Sequence, residues 1–359
     1  MAAVGMLLDP TRMGRDGEAF ESQLRKRIVG QDEAIRQVVD VYQTFRAGLG
    51  ASGRPIGSFL FLGPTGSGKT RTVEAVAESL VGESHAVIKI DCAEYQHGHE
   101  IAKLIGSPPG YLGHRETHPL LCQEALNQYQ TEEVKVSFIL FDEIEKASDT
   151  LWNLLLGILD KASLTLGDNR RVDFSRTMIF LTSNLGAREL EALTRPNLGF
   201  APSAAAEQAQ GEAGKAARTG TEAARRRFSP EFMNRLDKVV VFNSLGREEL
   251  TRILKLELEL VRDRVHRATG TTSVNFVVSD AAQNFLLQEG TDSRYGARHL
   301  KRAVEKLIVQ PLANLLATGQ VQAGDSVQIE LDRAQLLFFK QTGESAAARE
   351  PSRPQSIAA

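Results

Sequence analysis

Between the apolar run Phe59–Leu62 and a helical pattern that opens at Lys69 lies Gly63-Pro64-Thr65-Gly66-Ser67-Gly68-Lys69-Thr70. No other stretch limits the fold so tightly. Its form is G-x-x-x-x-G-K-[ST], set between a strand and a helix as that motif requires. Glycines let successive backbone N–H groups turn into one concavity and come close to a phosphate chain. The helix N-terminus adds partial positive charge at the same point. Lys69 is the candidate to neutralise the β- and γ-phosphates, and the Thr70 hydroxyl is the candidate Mg²⁺ ligand. A chance glycine turn gives no reason for Lys and Thr to fall in register.

Further along comes Val136-Ser137-Phe138-Ile139-Leu140-Phe141-Asp142-Glu143, an almost wholly apolar strand that ends in two carboxylates. Carboxylates at the end of a buried strand are costly unless they have work at the sheet's carboxyl edge. Asp142 suits the hydration shell of a Mg²⁺ ion, and Glu143 suits general-base activation of water. The glycine loop alone implies nucleotide binding; the two carboxylates add hydrolysis. Leu181-Thr182-Ser183-Asn184 closes another apolar run. Asn184 could orient the attacking water there, although an Asn after a strand is by itself a turn former.

The intervening pattern predicts the layers. Strand patterns at Phe59–Leu62, Ala86–Asp91, Val136–Phe141, Thr177–Thr182 and Lys238–Phe242 alternate with helical ones. This predicts an α/β fold with a mostly parallel five-stranded sheet. Before it, two helical patterns break at Val29-Gly30-Gln31, and the second holds Ile35, Val38, Val39, Tyr42 and Phe45 on one face. Gly48 to Gly57 reads as a linker. After Asn243 an amphipathic helix runs from Arg247 to about Arg267, followed by a short strand, two helices and a β pair, Ser326–Glu330 with Gln335–Phe339. The expected domains are a loose tail over 1–17, a large domain over 18–243, a small helix-rich α+β domain over 244–341, and a disordered tail over 342–359. Residues from about 197 to 224, rich in Ala, Gly, Glu and Gln, read as a mobile insertion in the large domain.

These motifs, with five more, resemble the AAA+ ATPases of the Clp family, and in particular their second ATPase module. Ile28-Val29-Gly30-Gln31 is similar to the adenine-side segment, which implies a nucleotide contact at Val29. Leu104-Ile105-Gly106-Ser107-Pro108-Pro109-Gly110-Tyr111-Leu112-Gly113 resembles the substrate-gripping pore loop. Asp142-Glu143-Ile144-Glu145-Lys146-Ala147 matches the Walker B box, and Leu164-Thr165 with Arg170–Phe174 the hairpin after it. Thr182-Ser183-Asn184-Leu185-Gly186 matches sensor 1, Ser229 to Asp237 the arginine-finger box, and Tyr295 to Arg302 sensor 2. All stand in the family's order, from about Ile28 to Ala317.

The resemblance implies an ATP- and Mg²⁺-dependent protein unfoldase working as a homo-oligomeric ring, a hexamer. It implies that Arg235 reaches the neighbouring subunit's γ-phosphate, that Arg298 touches its own subunit's nucleotide, and that Tyr111 grips an extended polypeptide in the pore. In the insertion, Leu198-Gly199-Phe200 resembles the tip by which some Clp ATPases dock on a peptidase. Packing of Leu198 and Phe200 against their own domain is the competing reading. The chain departs from the family in having neither a folded N-terminal domain nor a first ATPase module, so substrate recruitment is expected to use another route. His114-Arg115-Glu116-Thr117-His118 replaces the usual residues after the pore tyrosine.

Composition narrows the alternatives. A net charge of −2 provides no global attraction to nucleic acid or anionic lipid. Arg225-Arg226-Arg227 reads as a solvated run at a helix end rather than a nucleic-acid contact. The cysteines, Cys92 and Cys122, have no metal-like spacing, and His97, His99, His114 and His118 lack supporting carboxylates or cysteines, so they read as solvated loop residues. No stretch approaches a membrane span, and a cytoplasmic protein is expected. Two rival functions stay open: a nucleic-acid motor or loader on the same ATPase fold, and a nucleotide-switched scaffold that translocates nothing.

Overall fold

The computed structural model describes residues 9–107, 118–186, 218–269, 274–291 and 296–341. Tyr111 and the Leu198-Gly199-Phe200 tip lie outside these residues. The chain forms two compact units, Met1–Arg252 with Asp292–His299, and Ile253–Thr291 with Leu300–Ala359.

The first unit is built on strands β1 (Gly57–Leu62), β2 (Ile88–Asp91), β3 (Ser137–Asp142), β6 (Thr177–Ser183) and β7 (Lys238–Val241), with a small hairpin of β4 (Ser163–Thr165) and β5 (Arg171–Asp173) between β3 and β6. The sheet order is β2-β3-β6-β1-β7, and every pairing is parallel. Each expected strand is present within a residue or two of its expected ends. Gly57, read as linker, opens β1, and β2 starts two residues late, where the Ala86 N–H is taken by the Glu83 carbonyl in a turn at 3.2 Å.

Side-chain alternation explains why these runs are apolar throughout. In β1, Leu60 and Leu62 enter one core layer while Phe59 and Phe61 enter the other. β3 divides in the same way, with Ile139 and Phe141 opposed to Phe138 and Leu140, and β6 with Ile179 and Leu181 opposed to Met178 and Phe180. A strand covered on both faces has no polar side, as parallel sheets require. One layer is closed by helices Arg15–Arg27, Asp32–Arg46 and Lys69–Val81, the other by Asp149–Lys161 with Trp152, Phe228 and Phe232. Phe59 stacks on Phe180 at 4.9 Å between ring centroids, and Phe61 meets both Phe180 and Phe242. Full burial of each such ring contributes roughly 1.5–3 kcal/mol. Residues 218–227, the first part of which was read as the end of the insertion, are helical and bury Ala224.

In the second unit β8 (Asn275–Val278) pairs parallel with β9 (Ser326–Asp332), which pairs antiparallel with β10 (Gln335–Gln341). Phe276, Val278, Val327 and Ile329 point inward, while Val277, Leu337 and Phe339 are exposed on the other face. The helical run from Ala297 to Ala317 widens to a π turn at Glu305–Val309, where the N–H of Gln310 bonds the Glu305 carbonyl. The wider turn relieves the clash that Pro311 would otherwise make with the preceding turn.

Candidate active site

Because the sheet is parallel, β1, β3 and β6 deliver their carboxyl ends to one edge, where open α/β sheets bind ligands. β6 lies between the other two. The glycine loop after β1, the acidic pair after β3 and Asn184 after β6 therefore meet, although they are far apart in sequence.

The loop has the backbone that its glycines allow. Gly66 and Gly68 have φ of 77° and 102°, and Gly68 caps the helix Lys69–Val81. Gly63, at φ 146°, runs so close to β7 that a Cβ there would lie 2.6 Å from the Phe242 carbonyl oxygen. Lys69 is buried at 8% exposure. Its Nζ donates to the carbonyls of Gly63 at 2.7 Å and Pro64 at 3.0 Å, and to Asn184 Oδ1 at 2.9 Å. None of these three bonds is to a carboxylate. Burial pushes its pKa down to about 8 against the pull of Asp142, Glu145 and Glu143, and the positive charge of Arg298 adds to the lowering. A buried cation held only by neutral oxygens, at the mouth of a turn of left-handed glycines, fits a polyanionic phosphate chain.

The acidic side is organised around one hydroxyl. Thr182 Oγ1 donates to Asp142 Oδ1 and accepts the Glu143 N–H at 3.1 Å. Glu143 stands in the left-handed region at φ 55°, a conformation that costs a non-glycine residue about 1–3 kcal/mol and is concentrated at functional sites. Its carboxylate receives Asn184 Nδ2 at 3.3 Å and pairs with Lys146. The Lys146 pair is half-exposed, and a pair of that kind contributes only about 0–1 kcal/mol. Asn184 touches Lys69 through its oxygen and Glu143 through its amide nitrogen, and so links the cation to the carboxylate. Its own N–H is held by Glu145 Oε1 at 3.0 Å, while Glu145 Oε2 is buried without a hydrogen-bond partner. A carboxylate oxygen left without a donor in this cluster suits a hydrated cation, whose waters donate. Thr70 and Asp142 are the residues that would hold it.

Other expected site residues fall where one chain can use them in different ways. Val29 is buried, and the adjoining Gln31 braces the loop: its Nε2 donates to the carbonyls of Ser67 and Asn243, both at 3.0 Å, and its Oε1 accepts from the Asn243 N–H. Arg298 is exposed, and its neighbour Ala297 donates its N–H to the Gly66 carbonyl at 3.2 Å. Arg235 is at the opposite end of β1. Its carbonyl accepts from Ser58 Oγ and Arg54, and its guanidinium pairs with Asp160 and Glu231. Ser58 and Gly63 are separated by roughly 16 Å of extended strand, so Arg235 is not part of its own chain's cluster. Gln31 and Thr182 were not assigned roles from sequence. For Thr182 the signal was present: it is a polar residue inside an apolar strand, two positions before Asn184. Gln31 gave none, because its partners are distant in sequence. Among the described residues no group of His, Cys, Asp and Glu could hold a metal by itself, and His97 and His99 stack on one another.

A parallel sheet that carries this loop and this acid pair on two strands with a third between them defines a P-loop nucleotide-binding module of the AAA type. The model of the AAA domain (Cdc48 subfamily) matches residues 54–239, and that of the C-terminal, D2-small domain of ClpB protein matches residues 245–329. A probable chaperone protein ClpB 1 of Chlorobaculum tepidum is 37% identical, over 89% of this chain and 69% of its own length. The chain belongs to the AAA ATPases of the Clp family. Chaperone protein ClpB of Bdellovibrio bacteriovorus is 38% identical over 89% of this chain, and the ATP-dependent Clp protease ATP-binding subunit ClpC of Staphylococcus epidermidis is 39% identical over 87%. The chain spans about a third of the length of these two relatives, 34% and 36%. A closed-state cryo-EM reconstruction of Hsp104 with ATPγS and FITC-casein superposes with a TM-score of 0.73 at 28% identity, over 91% of this chain and 53% of that one.

Proposed function

We propose that this chain hydrolyses ATP with Mg²⁺, assembles as a homo-oligomeric ring, a hexamer, and uses the cycle to unfold or remodel polypeptides. The observation that carries the reading is the bridge at Asn184, whose side chain contacts both the buried Lys69 and the candidate base Glu143. In this reading the loop residues Gly63, Pro64, Thr65, Gly66, Ser67, Gly68 and Thr70 bind the phosphates and the ion, Val29 borders the base, and Lys69 neutralises the γ-phosphate. Mg²⁺, when bound by Thr70 and Asp142, supplies charge neutralisation on the phosphate oxygens. Glu143 takes a proton from the attacking water, and Asn184 holds that water in line.

The separation of Arg235 from its own loop supports its use in the neighbour's site, where a finger of this kind is worth roughly 10³–10⁵ in rate. Arg298, next in sequence to the residue that bonds Gly66, is assigned to its own subunit's nucleotide. Tyr111 is assigned to the substrate pore on the resemblance of its segment alone, as is Leu198-Gly199-Phe200 to a peptidase. A cytoplasmic setting completes this reading. No helix among the described residues is long and apolar enough to cross a membrane.

The test is steady-state ATPase rate against protein concentration for wild type, Glu143→Gln and Arg235→Ala, with and without casein as an unfolded substrate. Activity that rises with concentration and casein, and is lost in both variants, is the expected result. An Arg235→Ala protein that stays active, or indifference to casein, would remove the ring and unfoldase assignments and leave the ATPase.

A further inference from the structure

We propose that Thr182 is a positioning residue for the metal ligand and the general base together, a role that rests on the Mg²⁺-dependent hydrolysis reading above. Thr182 is buried at 1% exposure in β6, the strand that separates the glycine loop's strand from the acidic pair's strand. Its single hydroxyl has two partners on the neighbouring chain segment. The proton goes to Asp142 Oδ1, and a lone pair accepts the Glu143 N–H. The first bond fixes the plane of the Asp142 carboxylate, so the other oxygen is presented in one direction. The second satisfies a backbone donor at the residue that leaves β3 in the left-handed conformation at φ 55°. Loss of that partner would leave a part-buried N–H without its bond at the position that aims the base.

A hydroxyl is the group that can do both. An amide nitrogen at this place could not accept, and a carboxylate would add a third negative charge beside Asp142 and Glu143. The Thr182 side chain is held by burial on a central strand, so it costs little further entropy to keep its oxygen in place. Partners of metal ligands that act in this way typically change metal affinity or activity by 10–100-fold when removed. Lys146 and Asn184 also touch the acidic pair, but each contacts Glu143 alone, and the Lys146 contact is half-exposed.

The experiment measures binding of a fluorescent ATP analogue by the full chain, first in EDTA and then as Mg²⁺ is added, alongside steady-state hydrolysis. Wild type, Thr182→Val and Thr182→Ser are compared, with thermal melting of each as the folding check. For Thr182→Val we expect binding in EDTA at the wild-type level, a Mg²⁺ midpoint raised by about 10–100-fold, and hydrolysis that added Mg²⁺ does not fully restore. Thr182→Ser keeps the hydroxyl and is expected to return the Mg²⁺ midpoint to within a few-fold of wild type. If Thr182→Val does not fold, Thr182→Ala removes the same hydroxyl from a smaller side chain and reads the same midpoint. A wild-type Mg²⁺ midpoint in a folded variant without the hydroxyl overturns the proposal, as does a Thr182→Ser protein as impaired as Thr182→Val. Wild-type protein whose nucleotide binding and turnover ignore Mg²⁺ would overturn the hydrolysis reading itself.

Discussion

Lys69 shows how one side chain couples burial to ligand choice. Burial disfavours its charged form and pushes its pKa down to about 8, whereas a phosphate bound against it favours that form. The sign follows. Below pH 8 the free protein already carries the charge, and affinity for nucleotide is full. Above pH 8 the free protein has lost the proton and must take it up again on binding, so affinity falls by up to about tenfold per pH unit until the bound-state pKa is reached. Titration of a fluorescent ADP in EDTA at pH 7 and pH 9 checks this, with binding at pH 9 expected to be up to about tenfold weaker. A flat profile would mean either that Lys69 does not carry the phosphate contact or that the free protein keeps its charge beyond pH 9. The types and spacing of Gly63 to Thr70, and the acids at 142 and 143, were legible in the sequence because their chemistry is local. The roles of Gln31 and Thr182 were not, since each is defined by partners on other strands and loops.

At the scale of elements, the edge of the sheet is held open by glycines with two different duties. Gly68 turns the chain into the helix Lys69–Val81 with open space where a Cβ would be. Gly63 combines φ of 146° with a Cβ position 2.6 Å from the backbone oxygen of Phe242. Gly63→Ala therefore has to displace the end of β7 as well as strain its own backbone, and a loss of about 1–3 kcal/mol is expected. Chemical denaturation of the variant in the absence of nucleotide measures it, and a midpoint equal to wild type would show that β7 yields freely. Strand identities were readable because runs such as Phe138–Phe141 are apolar at every position. Strand order was not readable, because nothing local places β6 between β1 and β3. The helix Arg247–Thr269 was readable from Leu250, Leu254, Leu258 and Val261, all of which are buried. The division into compact units after Arg252, within that helix, leaves no mark in its periodicity.

At the scale of the molecule, Arg235 is at one end of β1 and the glycine loop is at the other, so a site that uses both needs two chains. The proposed assembly then makes a prediction about mixtures. Glu143→Gln protein retains an intact arginine, and Arg235→Ala protein retains an intact base. Each alone is expected to be inactive, but mixing the two is expected to restore part of the wild-type ATPase rate through sites at mixed boundaries. Absence of any recovery, with mixed assembly shown by labelled subunits, would place the function of Arg235 within its own chain. By itself the sequence determined the parallel α/β layers, the phosphate loop and the identity of the acids, since these depend on residue type and near-neighbour spacing. Only the tertiary structure decided that Asn184 would join Lys69 to Glu143, that Thr182 would hold both acids, and that Arg235 would be kept away from them. Those relations follow from the order of strands in the sheet, which arises from packing between residues far apart along the chain.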